Sequence, residues 1–531
     1  MTTPSLRGAL MVCGTTSDAG KTTVVTGLCR VLARRGVRVA PFKAQNMALN
    51  SAVTVAGHEI GRAQVAQAQA AGVEPEVAMN PVLLKPTSER TSQVIVNGRP
   101  WAVLDAAEYQ KVKPELLGVV LDHLADLRSR YDVVLCEGAG SPAEINLLDH
   151  DIVNLRVAAR SGMRALVVGD IDRGGVFAAL WGTVALLPDE LRELVGGFVI
   201  NKLRGDPTLL GDGPAQLEAR CGVPTLGVLP WTGGIGIDAE DSLALDHPPP
   251  PPSTRSGGGT LDVAAVRFPR VSNFTDLDPL ANEPGVALRW VDHPRSLGRP
   301  DLVVLPGSKA TLSDLDWLRR TGLADAVCVL ARAEGGPTTV VGICGGYQML
   351  GRSIHDPVEA GVAAPVDGLG LLATTTHFGP DKVLAQRRGT AWGHPVHGYQ
   401  IHHGRSTLRG GADEPWLSLD GGAEGAQGEG GAILGSSLHG LFEADAFRSE
   451  LLGRVSRRAG AGWQPSGRSF AGLRQERFDR LADLLEDHLD LTAVDRLIAG
   501  GDARGAEGAR GARGARGARG ARGARGARGA R

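Results

Sequence analysis

Aromatic residues are scarce, at 4% of 531 positions, whereas glycine occurs 74 times, a balance that predicts many tight glycine turns. No apolar run approaches the roughly 20 residues a membrane span requires, which argues against a membrane protein. The short apolar stretch 9–12 runs straight into a glycine loop, leaving no room for a signal-peptide core. Charge of one sign is lacking too. Lys and Arg number 57 against 58 Asp and Glu, so the net charge of −1 gives no reason to expect nucleic acid or an anionic membrane as partner. The six cysteines (13, 29, 136, 221, 328 and 344) show neither metal-ligand nor disulfide spacing. A soluble protein of a reducing cytoplasm is the expectation.

What is present is a two-domain pattern, as the length alone suggests. Short apolar runs at 9–13, 37–42, 132–136, 165–169, 197–200 and 225–229 alternate with helix-like segments. The helix predicted over 22–35 carries Val24, Leu28, Val31 and Leu32 on one face. Such alternation indicates an α/β fold with a mainly parallel, doubly wound sheet. Five prolines at 248–252 and a following glycine run cannot join a sheet, so 243–260 reads as a linker between a first domain (1–242) and a second (261–447). The second domain repeats the α/β pattern, with strands expected at 263–267, 286–291, 301–305, 339–343 and 432–436. A helical extension (448–500) contains an amphipathic helix over 475–489, and Gly-Ala-Arg repeats make 501–531 a solvated tail.

The first chemical signal is LMVCGTTSDAGKTT (10–23). Five residues separate Gly14 from Gly20, one more than in the usual phosphate loop, but strand, loop and helix follow in the required order. Backbone N–H groups from Gly14 and Thr15 to Gly20 can face phosphates, Lys21 can reach the outer ones, and Thr22 can ligate Mg²⁺. Ligands of open parallel sheets bind at the C-terminal strand edge. That edge supplies Glu137 in VVLCEGAG, Asp170 and Asp172 in ALVVGDIDRGG, and Asn201 and Lys202 in GFVINK. The acids are the metal candidates and Asn201 a nucleotide contact, although an acid there can equally cap the next helix.

A nucleotide loop alone fits a kinase, a motor, a partitioning ATPase or a ligase. In the second domain VVGICGGYQMLG places Cys344 between an apolar strand and a helix-like segment. Glycines 342, 345 and 346 permit the sharp turn that presents a nucleophile. A helix N-terminus favours a thiolate and offers N–H groups to an oxyanion. Gly345 and, from LPGSKAT, Gly307 with Ser308 are candidates for that oxyanion hole. His439 in SSLHGLFE can serve as the base that a nucleophilic cysteine needs.

GICGGYQMLG, LPGSK and LHGLF resemble a class I glutamine amidotransferase, and the first domain resembles the dethiobiotin-synthetase type of ATPase. Joined in this order, and with FKAQNMALNS, GRAQVAQAQAAGVEP, MNPVLLKP, SQVIVNG, EGAGSPAEINL and DIDRGGVFA, the chain from about 8 to 490 resembles the cobyric acid synthases. The resemblance implies that glutamine yields ammonia through a Cys344 thioester while ATP and Mg²⁺ activate carboxylates as acyl phosphates. The implied corrinoid substrate is adenosylcobyrinic acid a,c-diamide, amidated at its b, d, e and g carboxylates. Lys43, Gln45, Asn46, Asn50 and Ser51 in the matching block are candidate contacts to substrate or nucleotide. Two alternatives stay open: the earlier a,c-diamidation, and a regulatory ATPase with a degenerate cysteine domain. The chain departs from broader patterns at two places. Leu441 stands where many class I amidotransferases carry Glu, so the group orienting His439 is undefined, with Glu443, His402 and His403 as possible helpers. Cys13 stands where the family is expected to have Gln.

Overall fold

The computed structural model describes residues 6–233 and 259–500. All but the last two residues of the expected linker (243–260), and the whole of the expected tail (501–531), lie outside them. The first domain is built on β1 (Gly8–Gly14), β2 (Val39–Phe42), β3 (Val133–Glu137), β4 (Arg164–Asp170), β5 (Val195–Leu203) and β6 (Thr225–Pro230). They form one parallel sheet in the order β6-β5-β4-β1-β3-β2. β1 lies at its centre and every residue of it is buried, which is why it reads as a continuous apolar run rather than an alternation. Helix α1 (Lys21–Arg34) follows and packs Val24, Leu28, Val31 and Leu32 into a core with Leu10 and Leu135. The register sets Val12 beside Glu137 and Asp170 beside Asn201, so the polar candidates share one sheet edge.

Between β2 and β3 the chain inserts a small sheet of strands Gln45–Met47, Val82–Pro86, Thr91–Val96 and Arg99–Asp105, paired in that order. A short hairpin, Ser51–Val53 with Glu59–Gly61, leads into helix α2 (Arg62–Ala71). None of this insertion was expected from the strand pattern. Its outer strand is largely exposed, so it carries no apolar run.

The second domain has β7 (Leu261–Val266), β8 (Val286–Val291), β9 (Leu302–Leu305), β10 (Thr339–Ile343), β11 (Ala426–Gln427) and β12 (Ile433–Ser436). Their order is β8-β7-β9-β10-β12-β11, parallel except for the last pair. Helix α3 (Gly345–Leu350) follows β10 directly. A long hairpin, Thr374–Ala391 with His394–Leu408, leans onto the insertion of the first domain: Lys382 Nζ lies 2.6 Å from Glu59 Oε2, and Gln386 donates to the Val53 carbonyl.

The stretch read as one helical extension divides between the domains. Helix α4 (Asp445–Ala459) packs Phe447, Leu451, Leu452 and Val455 into the second core. Helix α5 (Phe470–His488) crosses back and sets Phe478 and Leu485 against the α1 core, with Asp479 2.7 Å from Arg30 and Asp483 2.6 Å from Arg34. Val494 and Ile498 continue that packing. The apolar stripe of α5 thus needs a partner surface, and α1 supplies it.

Candidate active site

At the sheet edge, Gly14 ends β1 and Thr15 N donates to Val168 O at 2.9 Å, tying the loop to β4. A turn of 3-10 helix, Ser17–Ala19, leads to Gly20 at φ 100. Here glycine is required twice over: the conformation is left-handed, and a Cβ would stand 2.0 Å from Asn201 Nδ2. Lys21 Nζ lies across the loop, 2.8 Å from Thr16 O and 3.0 Å from Ser17 O. Thr22 Oγ1 donates to Glu137 Oε1 at 2.9 Å. Glu137 also accepts from Lys43 Nζ at 2.8 Å and from Gln67 Nε2 at 2.5 Å. Its burial opposes ionisation, but Lys43 beside it and Lys21 nearby hold the carboxyl below the usual glutamate range.

Asp170 is engaged differently. Its Oδ2 lies 2.8 Å from Lys202 Nζ, and its Oδ1 accepts from Asp172 N. Asp172 itself pairs with Arg204 at 2.6 Å. Asn201 donates to Ala19 O at 2.9 Å and so braces the loop. Among the described residues no three His, Cys, Asp or Glu side chains cluster as a closed metal cage. One hydroxyl and one carboxylate beside a phosphate loop are the donors that Mg²⁺ takes, because it keeps several waters and phosphate oxygens in its shell. Thr22 and Glu137 fit that pattern once Lys43 moves off the Glu137 carboxylate, and Asp170 fits it once Lys202 moves aside.

A cleft of about 350 Å³ opens beside Lys21. Lys43, Gln45 and Asn46 line it, with Met47, Leu147 and Leu148 as apolar walls. Gln45 Oε1 accepts from the Tyr109 hydroxyl at 2.5 Å, and Asn46 donates to Gln64 at 3.0 Å. Asn50 and Ser51, expected beside them, are held elsewhere: the Asn50 side chain and the Ser51 backbone bond the second domain, whereas the Ser51 hydroxyl donates to Glu59 Oε1 at 3.1 Å and accepts from Lys85. Asn50 Oδ1 accepts from Phe274 N at 3.1 Å, and Ser51 N donates to Asn273 Oδ1 at 3.0 Å.

Cys344 stands between β10 and α3 at φ 50, ψ −108, a conformation that non-glycine residues rarely hold and that functional turns store. The turn is possible because Gly346 packs against β9, where a Cβ would meet Leu305 O at 2.0 Å. Gly345 abuts the Gly307–Ser308 turn: its own Cβ would fall 2.8 Å from Ser308 N. His439 and Cys344 line the same narrow pocket. His439 Nδ1 lies 2.7 Å from Asp276 Oδ2, and Gly440 N donates to Asp276 Oδ1 at 2.9 Å. Burial works against the imidazolium, yet Asp276 and Cys344 push His439 up to about 10. The three side chains form a line of cysteine, histidine and carboxylate, the arrangement that activates a nucleophile and stabilises the protonated base.

Asp276 is the residue that sequence reasoning missed. It lies in FTDL, 163 positions upstream of His439, at no motif spacing. Glu443, a suggested helper, is instead bridged to Arg62 at 2.7 Å and Arg474 at 2.9 Å. His402 and His403 line the same narrow pocket as Cys344 and His439. Burial holds His402 down at about 4, and its Nδ1 donates to Gly404 O. Cys13 is fully buried in the first core.

Residues 10–242 match a family model described as the CobQ/CobB/MinD/ParA nucleotide binding domain, and residues 262–447 match one described as the CobB/CobQ-like glutamine amidotransferase domain. The cobyric acid synthase of Rhodococcus jostii strain RHA1 is 54% identical over 94% of this chain and 97% of its own length. The chain belongs to the cobyric acid synthase family. Two more members, from Frankia casuarinae and Streptomyces coelicolor, are 52% and 51% identical, each over 94% of this chain and 98% of its own length. As a member of that family the protein is an amide-forming, glutamine-dependent ligase with a nucleotide-binding domain. No helix among the described residues is long and apolar enough to cross a membrane.

Proposed function

We propose that the protein makes amides from the b, d, e and g carboxylates of adenosylcobyrinic acid a,c-diamide, with ATP as activator and glutamine as nitrogen source. The observation that carries this reading is the pairing, in one chain, of the Cys344–His439–Asp276 line with the Lys21 cleft. In the second domain the Cys344 sulfur attacks the side-chain amide of glutamine, and the oxyanion faces the backbone N–H groups of Gly307 and Gly345. His439, held by Asp276, returns a proton to the leaving ammonia, and water then releases glutamate from the thioester.

In the first domain Lys21 and the Gly14–Gly20 backbone hold the phosphates of ATP, and Thr22 with Glu137 are the residues that would hold Mg²⁺, with Asp170 beside them. When bound, the ion neutralises charge on the transferring phosphoryl group. Lys43, Gln45 and Asn46 orient the carboxylate that accepts the phosphoryl group, and ammonia displaces phosphate from the acyl phosphate. Mass spectrometry after incubation with ATP, glutamine and the a,c-diamide tests the reading. Four successive hydroxyl-to-amino mass steps are expected. An unchanged corrinoid, or steps that begin only with cobyrinic acid at its a and c positions, would contradict it.

A further inference from the structure

Two consecutive histidines, His402 and His403, line the pocket of Cys344 and His439, although neighbours on a strand normally face opposite sides. The long hairpin makes this possible. Its ladder pairs Phe378 with Gly404 and Val383 with His402, so residues 379–382 stand opposite the single residue His403. Such a bulge re-aims side chains, and Lys382, which lies in it, lines the same pocket.

The ring of His402 is fixed in one tautomer. Gly404 O can only accept, so the 2.7 Å contact puts the ring proton on Nδ1 and leaves Nε2 as a bare acceptor. That Nε2 is buried and has no partner among the described residues. A buried acceptor without a donor is costly, so one that lines a reaction pocket is a place for a ligand's N–H. Burial also holds the ring neutral, with its value down at about 4, so it accepts hydrogen bonds at neutral pH without repelling a cation.

Glutamine brings two sets of N–H groups. Those of its side-chain amide belong to the leaving ammonia, which His439 protonates in the proposed reaction. The α-ammonium is not consumed, carries three donors and a charge, and needs acceptors. Glu359 lines the same pocket, bridged to Lys309. That pair offers charges opposite to both halves of an α-amino acid head group.

We propose that His402 is a specificity residue of the glutaminase reaction: its Nε2 accepts from the α-ammonium of glutamine, with Glu359 facing that charge and Lys309 facing the α-carboxylate. This inference rests on the reading of Cys344 as the group that attacks glutamine.

The test compares glutamine with glutaramate, which lacks only the α-amino group, on the full chain. A hydrogen bond to a charged group corresponds to about 10–150-fold in affinity. His402→Phe keeps a planar ring and removes the acceptor, so the KM for glutamine is expected to rise by about that factor with kcat retained. The Ki of glutaramate against glutamate release is expected to change by less than about twofold, since it has no ammonium to lose. His402→Gln returns an acceptor and is expected to recover most of the lost affinity. Ammonium-dependent amidation reports that each variant is folded. A KM for glutamine within about twofold of the unmodified value, a fall in kcat in its place, or an equal rise in the Ki of glutaramate overturns the assignment and leaves the ligase reading standing. Absence of glutamate release from the unmodified protein overturns the Cys344 reading itself.

Discussion

His439 holds its proton against burial because Asp276 sits 2.7 Å from Nδ1. Asp276→Asn preserves the shape and removes the charge, so glutamine-dependent turnover is expected to fall by about 10²–10⁴-fold, as when the carboxylate of a catalytic triad is neutralised. The ammonium-dependent reaction is expected to keep its rate, and comparing the two by steady-state kinetics checks this. A pH dependence follows as well. The folded His439 value of about 10 lies above the ordinary 6.5, so its contribution to stability is full below about 6.5 and is lost as pH rises through about 10. Thermal unfolding of the wild type between pH 7 and 10 is expected to show that loss, and Asp276→Asn to show less of it. Cys344 and His439 were legible because glycine turns and strand ends mark them in the sequence. Asp276 was not, since tertiary folding alone brings a turn 163 residues away against the base.

The strands that form the two central sheets were readable because parallel strands buried on both faces leave continuous apolar runs. The small inserted sheet was not, and its polar segment 45–51 was read only as a set of ligand contacts. Lys43, Gln45 and Asn46 do line the cleft, but Asn50 and Ser51 are committed to the domain seam. Helix α5 was visible from its stripe, whereas the surface it covers was not. Leu485 is fully buried where α5 meets Gly27 of α1. Leu485→Ala is therefore expected to cost about 2–5 kcal/mol, the usual range for such a truncation. Denaturant unfolding followed on the full chain checks this, and a loss under about 1 kcal/mol would mean that α5 is not integral to the first domain.

At the scale of the whole molecule, two parallel-sheet domains are joined by buried ion pairs as well as apolar packing. Glu443 of the second domain lies between Arg62 and Arg474, and their charges hold its carboxyl near 2 despite the opposing effect of burial. Its contribution is complete above the ordinary 4.5 and is lost as pH falls through about 2. Glu443→Gln is expected to destabilise the protein by about 3–5 kcal/mol at pH 7, because it strands buried cations. Calorimetry is expected to show that gap narrowing as the pH falls below 4.5.

The division of labour between the domains is the central claim. Lys21→Ala is expected to abolish amidation with either nitrogen source, since in the proposed reaction both require the activated carboxylate. Cys344→Ser tests the claim most directly. Serine keeps the size of cysteine but is far less acidic, so glutamine-dependent amidation is expected to be lost. With a high concentration of ammonium salt, the same folded variant is expected to consume ATP and amidate the corrinoid at near the wild-type rate, faster as rising pH increases free ammonia. Equal loss of activity with ammonium would contradict the account, because Cys344 would then belong to the ligase chemistry or to the core.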